Sequence, residues 1–277
     1  MSDEIASWDE AADAYDAWVI HPFAPHVDFP SRRHVRRLLA TWKRKGELKR
    51  RVAFDLGCGR GQGLALFAGQ VGFACGLDFS TRMLELSERV LKTRGISPSR
   101  YPHRGGLERL GNDLRAFHAG KKNGTTTVLV EADMRNLAPL RRSADLALAI
   151  NSISPARAAD TARVFNQVVS TLKRGGVMMA VLPSLDAFQY LLALAKRRGV
   201  HLPDAGRVDE HGMFHEGGEQ QKFFAPAEII QLCEASRLQV VALEKVRYPW
   251  SLMRRHGWGY FPGRPRLWDW GLVARVS

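Results

Sequence analysis

The residues best suited to chemistry in this chain lie in a glycine-rich turn. A short apolar run that begins at Val52 ends in Asp55, and a helix-like segment begins at Leu64. Glycine tolerates positive φ and lets the backbone approach a ligand, while a following helix offers unpaired N–H groups and a positive dipole end. The sequence therefore predicts a strand, a turn and a helix, with a polar or charged ligand bound at the turn. Four glycines alternate between strand and helix, at Gly57, Gly59, Gly61 and Gly63.

The spacing of these glycines excludes a dinucleotide site. Such a site reads G-x-G-x-x-G, but Gln62 stands three residues after Gly59, and Leu64 stands three residues after Gly61. The carboxylate of Asp55 would also repel a pyrophosphate. It is better suited to a ligand that carries an ammonium or a sulfonium group.

Two motifs together resemble the cofactor signature of the class I S-adenosylmethionine-dependent methyltransferases. Residues 55–61 read D-x-G-C-G-x-G, and residues 76–80 read G-L-D-F-S. The resemblance extends from about Trp8 to Val276. It implies S-adenosylmethionine as cofactor and a doubly wound, Rossmann-like α/β fold. Seven strands are expected in a mostly parallel sheet with helices on both faces, and the last strand is expected to be antiparallel.

The predicted cofactor-binding residues follow the ends of successive strands. Asp78 ends the second strand, where a doubly wound sheet places an acid that accepts hydrogen bonds from ribose hydroxyls, and Phe79 would lie against the adenine. The resemblance implies that Asp133 accepts from the adenine amino group and that the next N–H, of Met134, reaches the ring. Asn151 follows the fourth strand and should face the reacting centre. The full predicted set is Asp55, Gly57, Cys58, Gly59, Gly61, Asp78, Phe79, Asp133, Met134 and Asn151.

Other strands are predicted from their apolar content. A helix with a basic last turn is expected to end in the sequence K-R-G-G at 173–176, directly before a strand. The chain is expected to form one domain over 1–277. The later strands are predicted at 126–130, 144–150, 177–182, 238–246 and 268–276.

Three regions are expected to surround this domain. Residues 1–50 would form an N-terminal cap and a basic helix, and a tyrosine near Tyr15 would close the site, as the resemblance implies. Residues 93–125 are polar and basic and are interpreted as an insertion on the side opposite the cofactor. A protein lacking 97–123 is therefore expected to keep its cofactor site. Residues 183–224 would form a cap over the substrate.

The chain is strongly basic, with 41 Lys+Arg against 28 Asp+Glu and a formal net charge of +13. This charge favours polyanionic partners such as RNA or an anionic membrane surface. Ten basic residues stand between Arg32 and Arg51, beside apolar residues at helical spacing, and a solvated helix face is the simpler interpretation. No apolar run reaches about 18 residues, so no transmembrane helix is expected.

The three cysteines, Cys58, Cys75 and Cys233, have no disulfide or zinc-ligand spacing. They favour a reducing, cytoplasmic setting. The acidic start of the sequence argues against a secretory signal.

The sequence leaves the catalytic residues unknown. A methyl group on a positive sulfur is already activated, so positioning and exclusion of water can supply most of the rate. A general base is needed only if the acceptor is an OH or NH group. His211, His215 and His256 are candidate bases by location alone. His211 and His215 have the spacing of two helical metal ligands, but nearby glycines disfavour a helix, and no metal is expected.

Three hypotheses about the function are open, and two of them differ in the acceptor. A small molecule under a cap is favoured. An RNA methyltransferase is the first alternative, because the loop 247–267 combines arginines with aromatic residues that could stack on bases. The N-P-P-Y motif used on flipped bases is absent, since Asn151 is followed by S-I-S. The third hypothesis is a cofactor-binding protein without turnover. The loop is expected to contact the acceptor through Trp250, Trp258, Tyr260 and Phe261.

Overall fold

The computed structural model describes residues 9–10, 12–13, 20–24, 26–121, 124–153, 157–200, 207–209, 211–216, 219–257 and 259–277. None of the described helices is both long and apolar enough to cross a membrane. The described strands are β1 (Val52–Leu56), β2 (Phe73–Asp78), β3 (Ser99–Tyr101), β4 (Thr126–Glu131), β5 (Ala144–Ile150), β6 (Leu172–Leu182), β7 (Arg207–Val208), β8 (Met213–Glu216), β9 (Glu219–Lys222), β10 (Leu238–Tyr248) and β11 (Leu267–Val276).

The central sheet has 8 strands in the order β10-β11-β6-β5-β1-β2-β4-β3. β6, β5, β1, β2, β4 and β3 run parallel, and β11 pairs antiparallel with both β6 and β10. The predicted doubly wound fold with an antiparallel last strand is confirmed. β3, at the edge of the sheet, is a strand that the sequence did not predict.

Helices cover both faces of this sheet. They are α1 (Pro30–Arg44), α2 (Thr81–Lys92), α3 (Gly106–His118), α4 (Thr161–Ser170), α5 (Leu185–Arg198), α6 (Pro226–Ala235) and α7 (Trp250–Arg255). One apolar cluster joins α3, α4 and α6 to one face, and a second joins α1 and α2 to the other. α1 buries Val35, Leu39 and Trp42 and exposes most of its arginines, which agrees with the predicted solvated basic face.

The segment 93–125, interpreted from its sequence as a polar insertion, contains the strand β3 and the helix α3, which belong to the main fold. β3 pairs with β4, and α3 packs Leu110, Leu114 and Phe117 into the main core. Tyr101 of β3 is also buried there. Removal of 97–123 would therefore delete part of the core and should destabilise the fold. That a folded shortened protein keeps its cofactor site stays a prediction.

The strand β6 begins earlier than predicted. Leu172 already pairs with Ala144, and the register then shifts so that Val177 pairs with Leu146. Residues 173–176 therefore form a bulge in a strand instead of the last turn of a helix. Gly175 makes this possible, because its φ of +74° favours glycine.

The region 183–224 contains α5 and the small antiparallel sheet β7-β8-β9. Its main anchor is Lys222, which is 2% exposed. The ammonium donates to His211 O at 2.7 Å, to Phe223 O at 2.8 Å and to Glu228 Oε2 at 2.7 Å. All three donors of a buried charge are thus used, which satisfies the condition for burying it. His215 lies in β8 and His211 in a turn, so their helical spacing is not realised.

The connection after β10 is mostly exposed, but part of its aromatic content belongs to the core. Trp250 and Phe261 are buried with ring centres 5.2 Å apart, so they pack inside the protein and are not free to contact an acceptor. Tyr260 is 49% exposed, and the guanidinium of Arg254 lies 5.5 Å from its ring centre. Trp258 lies outside the described residues. The expected acceptor contact is therefore limited, among the residues described, to the surface around Tyr260.

Candidate active site

The glycine turn lies at the carboxyl end of β1, tied to β2. The N–H groups of Gly57 and Cys58 both donate to Leu77 O, at 2.7 and 2.9 Å. Gly57 has a φ of +70°, and a Cβ there would lie 2.4 Å from Ser152 Cβ. Gly61 has a φ of +78°, and its Cβ would lie 2.3 Å from Ser87 Oγ. Both positions therefore require glycine for backbone conformation and for space.

The helix predicted after the turn is only a short 3-10 turn at Leu64–Leu66. The segment predicted as helix-like, Leu64 to Phe67, is thus close to the observed element, but so short a 3-10 turn supplies little dipole. What the turn does supply is a hydrogen bond from the Leu64 N–H to Asp55. Gly63 leaves room for that carboxylate, because a Cβ on Gly63 would lie 2.6 Å from Asp55 Oδ2.

Asp55 is a buried acid with an unused oxygen. Its side chain is 2% exposed, and within the described part of the chain Oδ2 has no hydrogen-bond partner. The pKa of Asp55 is raised to about 7, mainly by burial and in part by the nearby charge of Asp78. A cationic group beside Asp55 would therefore be strongly favoured, as a sulfonium or an ammonium would be.

Asp78 is held in place by the turn. Its Oδ2 accepts from Gly59 N at 2.8 Å, and its Oδ1 accepts from Ser80 N at 3.0 Å. Burial raises the pKa of Asp78 to about 6, although these backbone hydrogen bonds oppose the rise. The Phe79 N–H also donates to this carboxylate, so three of its about four acceptor positions are taken. A ribose would use the remaining position and would have to share or replace a backbone hydrogen bond for its second hydroxyl.

The described part of the N-terminal segment contacts the start of α2, beside Asp78. Ser80 caps α2, accepting from Met83 N at 3.0 Å. Its hydroxyl also donates to Asp9 Oδ1 at 2.5 Å, and Arg82 N donates to the same oxygen at 3.2 Å. Sequence reasoning missed Asp9, because nothing local marks a contact 71 residues away. Tyr15 lies outside the described residues.

The predicted adenine residues lie around the end of β4. Asp133 accepts from Arg135 N at 2.8 Å and from Arg135 Nε at 2.7 Å, so its carboxylate is already paired. Any adenine contact would share that carboxylate with Arg135. Met134 reaches the glycine turn, since its Cε would lie 3.4 Å from a Cβ on Gly57. Phe79 is partly exposed and donates its N–H to Asp78.

The side chain of Cys58 belongs to the core. It is 6% exposed and packs with Leu64 and Ala74, so only its backbone faces the turn. Burial raises the pKa of this thiol well above its ordinary value. The thiol is therefore uncharged at neutral pH and inert.

Asn151 joins a polar network that sequence reasoning missed. It has a left-handed φ of +52°, and its side chain hydrogen bonds to Asp269 at the start of β11. Asp269 also accepts from Tyr248 Oη at 2.5 Å and from Ser184 N at 3.4 Å. Burial raises the pKa of Asp269 to about 6. Within the described residues Asn151 Oδ1 is buried without a partner, so this end of the network can accept a hydrogen bond.

A second unpredicted residue holds this strand end to the turn. Ser152 donates its hydroxyl to Leu56 O at 2.7 Å, which links the carboxyl ends of β5 and β1.

In the part of the chain that the structure describes, no group of three or more His, Cys, Asp or Glu could hold a metal ion.

The comparisons with known proteins agree with this geometry. Residues 54–180 match the family described as Methyltransferase domain. Residues 54–180 are therefore a methyltransferase domain, and the chain resembles the class I S-adenosylmethionine-dependent methyltransferases. Its cofactor is S-adenosylmethionine, and the residues around the turn fit it, since Asp55 offers an unpaired buried oxygen and no Cβ fits at Gly57 or Gly61. No curated protein matches this methyltransferase by sequence.

Several solved structures share the fold of this methyltransferase. A SAM-dependent methyltransferase from Methanosarcina mazei is 17% identical, with 82% of this chain and 92% of that chain covered and a TM-score of 0.54. The 1,6-didemethyltoxoflavin-N1-methyltransferase of Burkholderia thailandensis, solved with 1,6-didemethyltoxoflavin and S-adenosylhomocysteine, is 15% identical, with 100% and 86% covered and a TM-score of 0.54. The magnesium protoporphyrin IX methyltransferase of Synechocystis, with bound SAH, is 12% identical, with 89% and 83% covered and a TM-score of 0.52.

The two buried acids make cofactor binding dependent on pH. S-adenosylmethionine should bind about tenfold more weakly at pH 6 than at pH 8, because Asp55, with a pKa of about 7, becomes mostly protonated and no longer attracts the sulfonium. S-adenosylhomocysteine has no sulfonium charge and should show a weaker dependence. Titration calorimetry of both ligands from pH 5.5 to 8 measures the difference.

The matched variant is Asp55→Asn, which should bind S-adenosylmethionine with little pH dependence. The folding stability of the unliganded protein should change with pH in the opposite direction to the affinity for S-adenosylmethionine. Because burial raises the pKa of Asp55 from about 4 in the unfolded chain to about 7 in the fold, stability should fall as pH rises through that window. Equal pH profiles for the two ligands would show that Asp55 does not face the sulfonium.

Proposed function

We propose that this protein transfers the methyl group of S-adenosylmethionine to an oxygen, nitrogen or carbon nucleophile of a small molecule. The observation that carries the proposal is the pair of buried acids at the glycine turn. Among the described residues one oxygen of Asp55 has no hydrogen-bond partner, and Asp78 is fixed by three backbone N–H groups, those of Gly59, Phe79 and Ser80. This arrangement suits a ligand with a positive sulfur at one end and a ribose at the other.

Each residue of the site then has a separate role in binding the cofactor. Asp78 accepts from the ribose hydroxyls, Asp55 stabilises the positive end of the ligand, and Phe79 and Met134 flank the adenine. When bound, the cofactor would supply a methyl group activated by the positive sulfur. The acceptor would form a bond to the methyl carbon in line with the carbon–sulfur bond, which breaks and leaves its electrons on the sulfur. Asn151 lies at the end of β5 with a free acceptor oxygen and orients the groups that meet there.

Two observations support a small-molecule acceptor. The solved neighbours include enzymes for a toxoflavin precursor and for magnesium protoporphyrin IX. The polar network of Asn151, Asp269 and Tyr248 lies at the same edge of the sheet as the cofactor turn. Asp269, a half-buried carboxylate with a raised pKa, is suited to take a proton from an OH or NH acceptor. The cytoplasmic setting favoured by the free cysteines remains part of the proposal.

RNA methylation remains the alternative. It is favoured by the net charge of +13 and by the exposed arginines Arg254 and Arg255 of α7. The third hypothesis, a cofactor-binding protein without turnover, predicts binding with no product.

The test is incubation with methyl-labelled S-adenosylmethionine and a fractionated cell extract. We expect label in the metabolite fraction, and none with Asp78→Asn, which serves as the matched control. Label in the RNA fraction would support the alternative instead. Cofactor binding with no labelled fraction would contradict methyl transfer altogether.

A further inference from the structure

A second site lies at the opposite end of the sheet. A cavity of about 140 Å³ opens between α1, the bulge at 173–176 and β11, beside the amino ends of β1 and β5. It is far below the roughly 300–1,000 Å³ of pockets for whole small molecules, but larger than the about 30 Å³ that one water occupies. Its lining is Leu38, Trp42, Arg51, Asp145, Arg174, Gly175, Gly176, Val177 and Arg275.

The acid in this cavity is already neutralised. Asp145 accepts from Val52 N at 2.9 Å, from Arg51 at 2.7 Å and from Lys173 Nζ at 3.3 Å. Arg51 also pairs with Glu47 at the rim. Arg51 and Lys173 therefore balance Asp145 and Glu47, and these four residues leave no net charge.

Two further arginines leave the cavity positive. Arg174 and Arg275 line it, and neither forms an ion pair with any residue that the structure describes. Both are exposed at its mouth. The charge of two guanidinium groups is thus uncompensated at one small, polar opening.

A buried donor points to the same kind of ligand. Arg51 Nε is buried, and within the described residues it has no acceptor. Such a group costs free energy unless something accepts its hydrogen. The bulge also brings the backbone of Gly175 to the wall with open space where a Cβ would stand. An acceptor with several oxygens would satisfy Arg51 and pair with both free arginines.

We propose that this cavity binds one phosphate group, free or as an ester. Guanidinium groups match the geometry of phosphate oxygens and bind them through paired hydrogen bonds. The site is independent of the cofactor, because Arg51 precedes β1 and Gly57 follows it, which separates the two by roughly 15 Å of strand. Exposed arginines of α1, such as Arg36 and Arg37, would extend the contact if the phosphate belongs to a larger molecule.

The first test uses inorganic phosphate as the probe, at constant ionic strength, with the full chain and titration calorimetry. Arg174→Gln/Arg275→Gln removes two positive charges from the cavity, and Arg36→Gln/Arg37→Gln removes two from α1 outside it. We expect saturable binding to the wild type, at least tenfold weaker binding to the cavity variant, and a change of less than about threefold in the control. An equal loss in both variants, or no saturable binding to the wild type, would overturn the proposal.

The second test identifies the source of the phosphate. A small phosphomonoester, a single-stranded RNA oligonucleotide and phosphatidylcholine vesicles containing phosphatidylglycerol are compared as competitors of inorganic phosphate. The source is the one that competes at least tenfold better and loses this advantage in the cavity variant, and if none does, free phosphate is the ligand. RNA or vesicles that bind without displacing phosphate would contradict the cavity as their contact. Affinity for S-adenosylmethionine should stay unchanged in both variants.

Discussion

Replacing Asp78 with alanine should weaken binding of S-adenosylmethionine by about 30- to 1,000-fold, since two charge-assisted hydrogen bonds to the ribose are worth roughly 2–4 kcal/mol. The control is Glu131→Ala. Glu131 is the neighbour of Asp78 in the ladder, at the end of β4, and accepts from Thr81 Oγ1 at 2.7 Å. It has no assigned cofactor contact, so its removal should change affinity by less than about threefold.

The isosteric change Asp78→Asn separates binding from folding. Because burial raises the pKa of Asp78 to about 6, the charged form costs the unliganded protein stability above that pH. At pH 8 the asparagine variant is relieved of the buried charge but loses a backbone hydrogen bond, because its amide nitrogen cannot accept from Gly59 N or Ser80 N. These two effects oppose each other, so its stability should change less than its affinity for the cofactor, which should fall. Calorimetry and thermal melting at pH 8 measure both quantities. Wild-type affinity in this variant and in the alanine variant would show that Asp78 does not hold the ribose.

Truncating Leu114 of α3 should lower the free energy of unfolding by about 2–5 kcal/mol, because it leaves a cavity in the main core. Leu114 is 1% exposed, within the segment that the sequence alone assigned to a polar insertion. The control is Asn112→Ala on the exposed side of the same helix, which should change stability by about 0.5 kcal/mol or less.

Urea unfolding of the two variants measures the difference. A loss for Leu114→Ala as small as that of the control would mean that α3 unfolds independently and that the segment is an appendage after all. The same experiment bears on removal of 97–123, which would delete Leu114 together with Leu110 and Phe117.

The parts of the fold that the sequence predicted have local causes. β5 is buried along nearly all its length and, apart from Asp145, reads as an apolar run. The parts that were missed have distant causes. β3 has only three residues and exists because β4 offers it a partner, and β6 starts at Leu172 because Ala144 pairs with it.

The site follows the same rule. The glycine turn was predictable because the demand for glycine at Gly57 and Gly61 is imposed at each position by backbone and space. Asp9 and Asp269 were not predictable, because their partners, Ser80 and Asn151, are distant in the chain and carry no spacing signal. The helix type after the turn was not predictable, since apolar residues suit a buried 3-10 turn as well as an α-helix.

The outer strands of the sheet also determine how the protein behaves at high concentration. β3 offers only three residues to a newcomer, and two of them, Ser99 and Arg100, are polar and exposed. On the other edge, β10 is interrupted by a bulge near Val241, and residue 28 already exchanges backbone hydrogen bonds with Arg247. β10 is 11 residues long, but its bulge and its bridge to residue 28 interrupt the edge, and β3 is short and polar, so addition of a strand from another molecule is disfavoured at both edges. The architecture thus protects the protein against edge-to-edge aggregation.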